Sequence, residues 1–180
     1  MKDTPLLHTD RLVLRGFSLD DVPAVYSWCS DLEATRFLFW YPHRDIGVSE
    51  RLVKQWIRKK RNYSWALDGG SGAIGELQVI KDLPNQGFSL GYILKREKWH
   101  QGYMKEALYA VLHYLFAEAD YAYSEEVTDE RNAASRKLLE AVGYHFVCLQ
   151  ENVFISKKNE MITEAVYHLD KAEFLALVNH

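Results

Sequence analysis

The N-terminal part of the chain changes from an alternating to a helical pattern of hydrophobic residues. Leu12 and Leu14 share one face of an alternating segment, which predicts a strand over 11–17. Ser18 stands three residues before Asp21, an acidic variant of the capping box that predicts a helix start. Apolar and aromatic side chains then recur at helical spacing, at Val22, Val25, Tyr26 and Cys29. We therefore expect a strand followed by a helix with one buried stripe.

The rest of the pattern predicts further helices around a sheet. A second helix begins at Ser49, places Val53, Trp56 and Ile57 inward and ends in the basic run 58–61. The later elements are expected, in chain order, as strands at 63–67, 73–81 and 87–95, a helix at 102–119, a strand at 123–128, a helix at 132–142 closed by Gly143, β-rich stretches at 144–155 and 162–169, and a C-terminal helix. Short connections among the middle strands favour antiparallel pairing. The predicted fold class is α/β (α+β): a mixed, mostly antiparallel central sheet flanked by helices.

Composition narrows the class of protein. The 180 residues, 48 % hydrophobic and 26 % charged, fit one globular domain over 1–180. A net charge of −3 argues against a nucleic-acid binder, which usually has a basic excess. Cys29 and Cys148 form no disulfide framework, and no His or Cys spacing indicates a metal site. No apolar run reaches the roughly 20 residues of a membrane span, and the polar N-terminus lacks a signal sequence, so we expect a cytoplasmic protein.

The segment 91–107 carries the most specific chemical signal. A predicted strand runs through a short basic loop into a long helix, whose first N–H groups have no partner within the helix. Gly102 allows the backbone to approach a bulky anion. Four basic residues lie nearby: Lys95, Arg96, Lys98 and Lys105. This arrangement predicts a phosphate-binding turn. An ordinary strand–helix connection with solvated lysines explains the same residues, and the pattern alone leaves both interpretations open.

Three stretches resemble the GNAT superfamily of N-acetyltransferases. Residues 99–108, WHQGYMKEAL, are similar to its acetyl-CoA pyrophosphate loop, which commonly reads WGKGYATEAL in the RimJ/RimL-like branch that acetylates protein N-termini. Residues 9–15, TDRLVLR, and 132–144, NAASRKLLEAVGY, agree with two further motifs in the same order. The family usually has small residues at the two positions that His100 and Met104 occupy in this chain. The resemblance covers almost the whole chain and implies the GNAT fold, splayed between its two central strands.

The resemblance also implies a site for acetyl-CoA as the acetyl donor. Its pantetheine arm would add to the exposed edge of strand 91–95 and pair with the backbone at Ile93 and Leu94, where one N–H polarises the thioester carbonyl. The pyrophosphate would lie over six successive residues: Trp99, His100, Gln101, Gly102, Tyr103 and Met104. From the next helix, the side chain of Asn132 would contact the pantetheine arm, and Ser135 would complete the site. Asn132 is also a good helix N-cap for the N–H of Ser135, so it has a purely structural explanation too.

Amine acetylation needs loss of the ammonium proton and stabilisation of the departing thiolate. By resemblance to the RimJ/RimL-like branch, Ser135 would act on the thiolate, and a helix-surface serine is the alternative. Glu76 and Glu126 are candidate bases because burial raises the pKa of a strand carboxyl, although each also fits a solvated strand position. Three aromatic residues would line the acceptor pocket, or form a small hydrophobic cluster beneath a loop: Phe39, Trp40 and Tyr41.

These expectations combine into one predicted activity. An acetyl-CoA-dependent N-acetyltransferase transfers an acetyl group to a primary amine, on a protein N-terminus or a small molecule, by direct attack in a ternary complex. A non-catalytic acyl-CoA-binding or regulatory module is the alternative, and O-acetylation would need a stronger base than the pattern offers. The acceptor's identity stays open, and the mild acidity leans toward a cationic one. We expect no metal, nucleic-acid or membrane partner, and either a monomer or a homodimer paired through the C-terminal strands.

Overall fold

Eight strands and five helices, in nearly the predicted order, make up the computed structural model, which describes residues 4–58 and 63–178. The strands are β1 Leu7–His8, β2 Val13–Arg15, β3 Ser64–Asp68, β4 Ala73–Leu83, β5 Gly87–Leu94, β6 Tyr123–Asp129, β7 His145–Ile155 and β8 Glu160–Asp170. The helices are α1 Val22–Cys29, α2 Ile46–Arg58, α3 Tyr103–His113, α4 Ala133–Val142 and α5 Lys171–Val178. The described helices include none that is both long and apolar enough to cross a lipid bilayer.

The strands form one sheet in the order β1-β2-β3-β4-β5-β6-β8-β7. Neighbouring strands are antiparallel except β5 and β6, which run parallel and pair only at Gly87 with Tyr123 and at Phe88 with Ser124. Beyond these two pairs the strands diverge and leave the edge of β5 open over 89–94. The predicted mixed, mostly antiparallel sheet and its splay between two central strands are confirmed.

Helices cover both faces of the sheet and create two hydrophobic cores. The fully buried side chains of the larger core include Trp65, Phe88, Leu108, Leu112 and Phe174. The smaller core, beneath α1 and α2, includes Val25, Trp28, Val53 and Ile93. Burying each large apolar side chain contributes about 1.5–3 kcal/mol. The apolar face of α3 is therefore held firmly on the sheet beside the splay.

The first predicted strand is shorter than expected, and a strand before it was not predicted. Thr9 N–H donates to Leu12 O at 2.9 Å, so the chain turns before Val13–Arg15 and pairs that strand with β1. The predicted capping box is present, because Ser18 N–H donates to Asp21 Oδ2 at 2.8 Å. It starts a short 3₁₀ turn that leads directly into α1.

The second helix begins at Ile46, three residues before the predicted start at Ser49. The reason is Asp45, whose carboxylate accepts a backbone N–H of the first turn at 2.9 Å and caps the helix there. Ile57 is 45 % exposed, so the expectation that it faces inward is wrong. It lies about 100° around the helix from its buried neighbour. The predicted basic end at 59–61 lies outside the described residues.

Candidate active site

A cleft of about 430 Å³ opens where β5 and β6 diverge. Its walls come from the end of β5, the loop that follows it, the first turns of α3 and α4, and the loop after α1. The opening follows from the topology, because a parallel pair that separates after two residues leaves a gap between the strands. The cleft thus lies beside both an open strand edge and a helix N-terminus.

Hydrogen bonds fix the loop between β5 and α3 at one end of the cleft. Trp99 N–H donates to Arg96 O at 3.1 Å, and the Trp99 indole donates to Leu94 O at 2.9 Å. His100 and Gly102 then adopt φ values of +58° and +82°. Glycine suits position 102 because a residue with a side chain is strained at a positive φ. The chain therefore turns sharply into α3, and most residues of this turn line the cleft.

Six successive N–H groups, of residues 100–105, donate to no acceptor in the part of the chain that the structure describes. The first bond closed by the helix runs from Glu106 N–H to Gly102 O at 3.0 Å. Unpaired amides at the positive end of a helix dipole favour an anion. Two lysines, Lys98 and Lys105, line the same region of the cleft. A phosphate-bearing ligand fits this end of the site.

The open edge of β5 presents the backbone of Tyr92 and Leu94 rather than that of Ile93. The N–H of Leu90 faces β6, where the carboxylate of Glu126 accepts it at 2.7 Å. Because the direction of the backbone polar groups alternates along a strand, those of Tyr92 and Leu94 face the same open side. Ile93 pairs its backbone with β4 and contributes its side chain to the cleft wall.

Nine of the ten residues predicted to bind acetyl-CoA line the cleft. They are Ile93, Leu94, Trp99, His100, Gly102, Tyr103, Met104, Asn132 and Ser135. The tenth, Gln101, points elsewhere: its side chain donates to Glu97 O at 2.8 Å, and its carbonyl accepts from Arg11 at 2.8 Å. The cleft thus gathers residues from three separate elements, and their contacts with a cofactor stay predictions.

The start of α4 brings two hydroxyl groups together. Asn132 Oδ1 accepts the N–H of Ser135 at 3.1 Å, so the expected N-cap is confirmed. The Oγ of Ser135 lies 2.7 Å from the Oη of Tyr92, across the open edge of β5. Sequence reasoning missed Tyr92, although alternation along β5 already placed its side chain on the opposite face from Ile93.

Glu126 fills the point at which the two strands separate. Its side chain is only 3 % exposed. Oε1 accepts from Leu90 N–H at 2.7 Å and from the Ser124 hydroxyl at 2.9 Å, and Oε2 accepts from the Ser89 hydroxyl at 3.3 Å. Burial raises the pKa of Glu126 to about 8, and these hydrogen bonds oppose part of that rise. The carboxyl therefore replaces the strand pairing that β5 has lost.

Glu76 occupies the other face of the sheet, beneath α1. It pairs in register with Ile93, whose side chain lines the cleft, but Glu76 itself does not line it. Oε1 accepts from Gln78 Nε2 at 3.2 Å, whereas Oε2 is buried without a hydrogen-bond partner among the described residues. Burial raises the pKa of Glu76 to about 8, and the nearby indole of Trp28 opposes part of that rise. Oε2 of Glu76 thus accepts no hydrogen bond from the described residues, and the Trp28 indole is its polar neighbour.

The predicted acceptor aromatics lie near the cleft without lining it. Residues 37–38 of the same loop line the cleft, whereas Phe39, Trp40 and Tyr41 do not. Trp40 packs against the smaller core, and the Tyr41 hydroxyl donates to Lys158 O at 3.1 Å in the turn between β7 and β8. The loop is therefore tied to the C-terminal hairpin, and the acceptor role of its three aromatics stays a prediction.

Neither Cys29 nor Cys148 lines the cleft. Cys29 is buried, and burial together with the nearby Glu76 carboxyl raises the pKa of its thiol. A thiol held protonated in this way is a poor nucleophile. Across residues 4–58 and 63–178, His, Cys, Asp and Glu side chains form no group of three or more that could hold a metal ion.

The family of the chain follows from a comparison with known proteins. A model of the acetyltransferase (GNAT) domain matches residues 11–145, which include most of the N-terminal strand motif, the amide-rich loop and the capped helix α4. The chain belongs to the GNAT acetyltransferase family. It is therefore an acyltransferase, and the non-catalytic alternative is set aside.

Individual relatives agree with this family. The chain is similar to the uncharacterized N-acetyltransferase p20 of Bacillus licheniformis, with 25 % identity over 93 % of this chain and 97 % of that one. It resembles the solved structure of a protein from Vibrio cholerae whose proposed activity is that of a ribosomal-protein-serine acetyltransferase, with a TM-score of 0.80, 22 % identity, and 94 % and 99 % of the two chains covered. It also resembles spermidine N-acetyltransferase from Vibrio cholerae in complex with CoA and spermine, with a TM-score of 0.80, 15 % identity, and 93 % and 99 % covered. At these identities the two structures support the shared GNAT fold.

Proposed function

We propose that this GNAT acetyltransferase transfers the acetyl group of acetyl-CoA to a primary amine by direct attack while both are bound. The observation that carries the proposal is the run of six unpaired amides, residues 100–105, next to an open strand edge. Backbone N–H groups suit the diphosphate of CoA, and the edge of β5 suits the amides of its pantetheine arm. The spermidine enzyme, which shares the fold, binds CoA and spermine.

The acceptor is either a protein N-terminus or a small amine. The proposed ribosomal-protein-serine acetyltransferase from Vibrio cholerae supports a RimJ/RimL-like protein acceptor, and the spermidine enzyme supports a small polycation. We assign the acceptor to the side of the cleft formed by the loop after α1, with Phe39, Trp40 and Tyr41 behind it. Glu33 and Arg36 both line the cleft on this side, 3.9 Å apart, so the charge of this wall favours neither kind of acceptor.

Of the two candidate bases, Glu76 suits the role better than Glu126. A base must accept a proton from the attacking ammonium directly or through one water. Oε2 of Glu76 accepts no hydrogen bond from the described residues, and a pKa of about 8 matches the task near neutral pH. Because Glu76 lies beside Ile93 and does not itself line the cleft, the proton would reach it through a water. Glu126 has both oxygens engaged by β5 and β6, so we assign it to holding the strands. Ser135 would stabilise the leaving thiolate from the opposite side.

The binding site is tested by calorimetry with acetyl-CoA on the full chain. Gly102→Glu places a strained, negatively charged residue among the unpaired amides, and we expect at least about a tenfold weaker affinity. Gly70→Glu is the matched control, because Gly70 also has a left-handed φ of +91° but lies in an exposed turn with open space around it. Equal affinities of the Gly102 and Gly70 variants would contradict the assignment.

The transfer itself is tested by thiol release from acetyl-CoA. Candidate acceptors are peptides with free N-termini, polyamines and single amino acids, and mass spectrometry shows which nitrogen gains 42 Da. We expect release to depend on one of these amines. Tight binding of acetyl-CoA with no turnover over the whole set would overturn the proposed reaction while leaving the binding site intact.

A further inference from the structure

Tyr92 and Ser135 form a pair of hydroxyl groups across the splay. Their oxygens lie 2.7 Å apart, and both residues line the cleft. Tyr92 comes from β5 and Ser135 from the first turn of α4, 43 positions later in the chain. The pair therefore joins the two elements that border the open edge, where β5 and β6 are not paired.

The surrounding structure fixes both partners. Ser135 N–H is held by Asn132 Oδ1 at 3.1 Å, and the ring of Tyr92 packs against the larger core. Among the described residues neither hydroxyl has a second partner. Each hydroxyl carries one hydrogen. One hydrogen is consequently used within the pair, and the other is left to face the cleft.

The chemistry of the two groups favours one direction for this hydrogen bond. A phenol is a stronger donor than an aliphatic alcohol, and the alcohol oxygen is the stronger acceptor. Burial raises the pKa of Tyr92, so its hydroxyl keeps its hydrogen. Tyr92 therefore donates to Ser135, and the hydrogen of Ser135 stays free. A hydroxyl that accepts one hydrogen bond becomes a better donor in the next.

We propose that Tyr92 is a positioning residue that turns the hydroxyl hydrogen of Ser135 toward the thioester sulfur. The inference rests on the proposed acetyl transfer. In that reaction the amine nitrogen bonds to the acetyl carbon, the C–S bond of the thioester breaks, and the electron pair of that bond stays on sulfur. The amine's proton leaves to Glu76 or to water. Ser135 stabilises the thiolate by a hydrogen bond, and no proton leaves Tyr92.

The first test is a double-mutant cycle with Tyr92→Phe and Ser135→Ala. We expect Tyr92→Phe to lower kcat about tenfold while the KM for acetyl-CoA changes less than twofold, because a charge-assisted hydrogen bond is weakened. In the Ser135→Ala background the same change should have no further effect. Tyr109→Phe is the matched control. Its hydroxyl, on α3, likewise binds α4 by donating to Ala141 O at 3.2 Å, but Tyr109 does not line the cleft.

A second test needs no turnover and compares the affinities of CoA and desulfo-CoA, which lacks only the sulfur. The wild-type protein should prefer CoA, and both Tyr92→Phe and Ser135→Ala should reduce that preference. If Tyr92→Phe fails to fold, Tyr92→3-fluorotyrosine replaces it, because this residue keeps the volume and strengthens the phenol as a donor. The fluorinated protein should prefer CoA more strongly than the wild type.

Three results would overturn the proposal: an unchanged kcat in Tyr92→Phe, a full additional loss in the Ser135→Ala background, or an unchanged preference for CoA. The last comparison also separates this inference from the proposed function. A protein that binds CoA but acetylates no amine would refute the transfer, yet the preference for CoA over desulfo-CoA would still report on Tyr92.

Discussion

Arg11 and Glu106 join the N-terminal strands to the first turn of α3. The carboxylate of Glu106 accepts from the backbone N–H of Arg11 at 2.9 Å and from its guanidinium Nε at 2.7 Å. The same arginine donates to Gln101 O at 2.8 Å and lies over the ring of Tyr103. One side chain therefore holds both the amide-rich loop and the helix that follows it. This contact gives the TDRLVLR stretch a structural role at the end of the cleft where the described amides are unpaired.

Arg11→Lys is expected to weaken acetyl-CoA binding about threefold to fivefold. Lysine keeps the positive charge, but it cannot reproduce the forked contacts of the guanidinium with a carboxylate and a carbonyl. Calorimetry measures the effect, and Arg51→Lys, an exposed position on α2, is the control. An affinity equal to that of the Arg51 variant would show that Arg11 does not order the loop.

Glu76→Gln is expected to lower kcat/KM by about 100-fold at pH 8 if Glu76 accepts the amine's proton. The pKa of about 8 means that the carboxyl is protonated, and inactive as a base, at lower pH. The ratio of wild-type to variant rates should therefore rise with pH and level off above about 8. The acceptor amine titrates equally in the wild-type and variant reactions, so taking the ratio at each pH removes its contribution to the pH dependence.

Glu126→Gln supplies the contrast for the kinetic experiment. We expect it to leave the pH dependence of the rate as in the wild type, because Glu126 faces β5 and not the acceptor. The assignment of the base would be wrong if the ratio of wild-type to Glu76→Gln rates stayed constant with pH. It would also be wrong if Glu126→Gln abolished the rise of the rate with pH.

Local signals explain why much of the fold was predictable. The spacing of Val22, Val25 and Cys29 gives α1 its buried stripe, and Gly143 ends α4 in a left-handed conformation with φ +111°. These features depend on neighbours within one or two turns of the chain. The capping pair of Ser18 and Asp21 is of the same kind, and it too was predicted correctly.

The features that sequence reasoning missed depend on contacts between distant segments. Tyr92 meets Ser135 only because β5 and β6 diverge, and Glu126 is buried there because its carboxylate satisfies Leu90 N–H. Alternation along a strand assigns a face but does not reveal a splay. The family resemblance implied that the backbone of Ile93 lies on the open edge, whereas strand pairing turns it toward β4.

Two buried carboxyls should make the protein less stable as pH rises from about 4.5 to 8. Glu76 and Glu126 have pKa values near 8 when folded, against an ordinary value of 4.5. Between these values the folded state binds more protons than the unfolded state. The free energy of unfolding therefore falls with pH, by up to about 1.4 kcal/mol per pH unit for each group, and becomes constant above 8.

Urea unfolding at several pH values measures this dependence. Glu76→Gln and Glu126→Gln should each reduce the slope between pH 5 and 8. Carboxyls whose pKa is lowered, such as Asp21 beside Arg15, contribute at more acidic pH and with the opposite sign, so they do not mask the effect. A slope that neither substitution changes would show that neither carboxyl is held protonated.

Substitutions at Asn132 separate its structural role from its proposed contact with the pantetheine arm. Asn132→Ala removes the cap on Ser135 N–H and should cost about 1 kcal/mol in the free energy of unfolding. Asn132→Ser keeps a capping oxygen and should stay within about 0.5 kcal/mol of the wild type. It lacks the amide that would reach the ligand, so we expect about fivefold weaker binding of acetyl-CoA, a loss typical of one neutral hydrogen bond. Urea unfolding and calorimetry on the same two variants give both quantities. Wild-type affinity in Asn132→Ser would leave Asn132 as a helix cap alone.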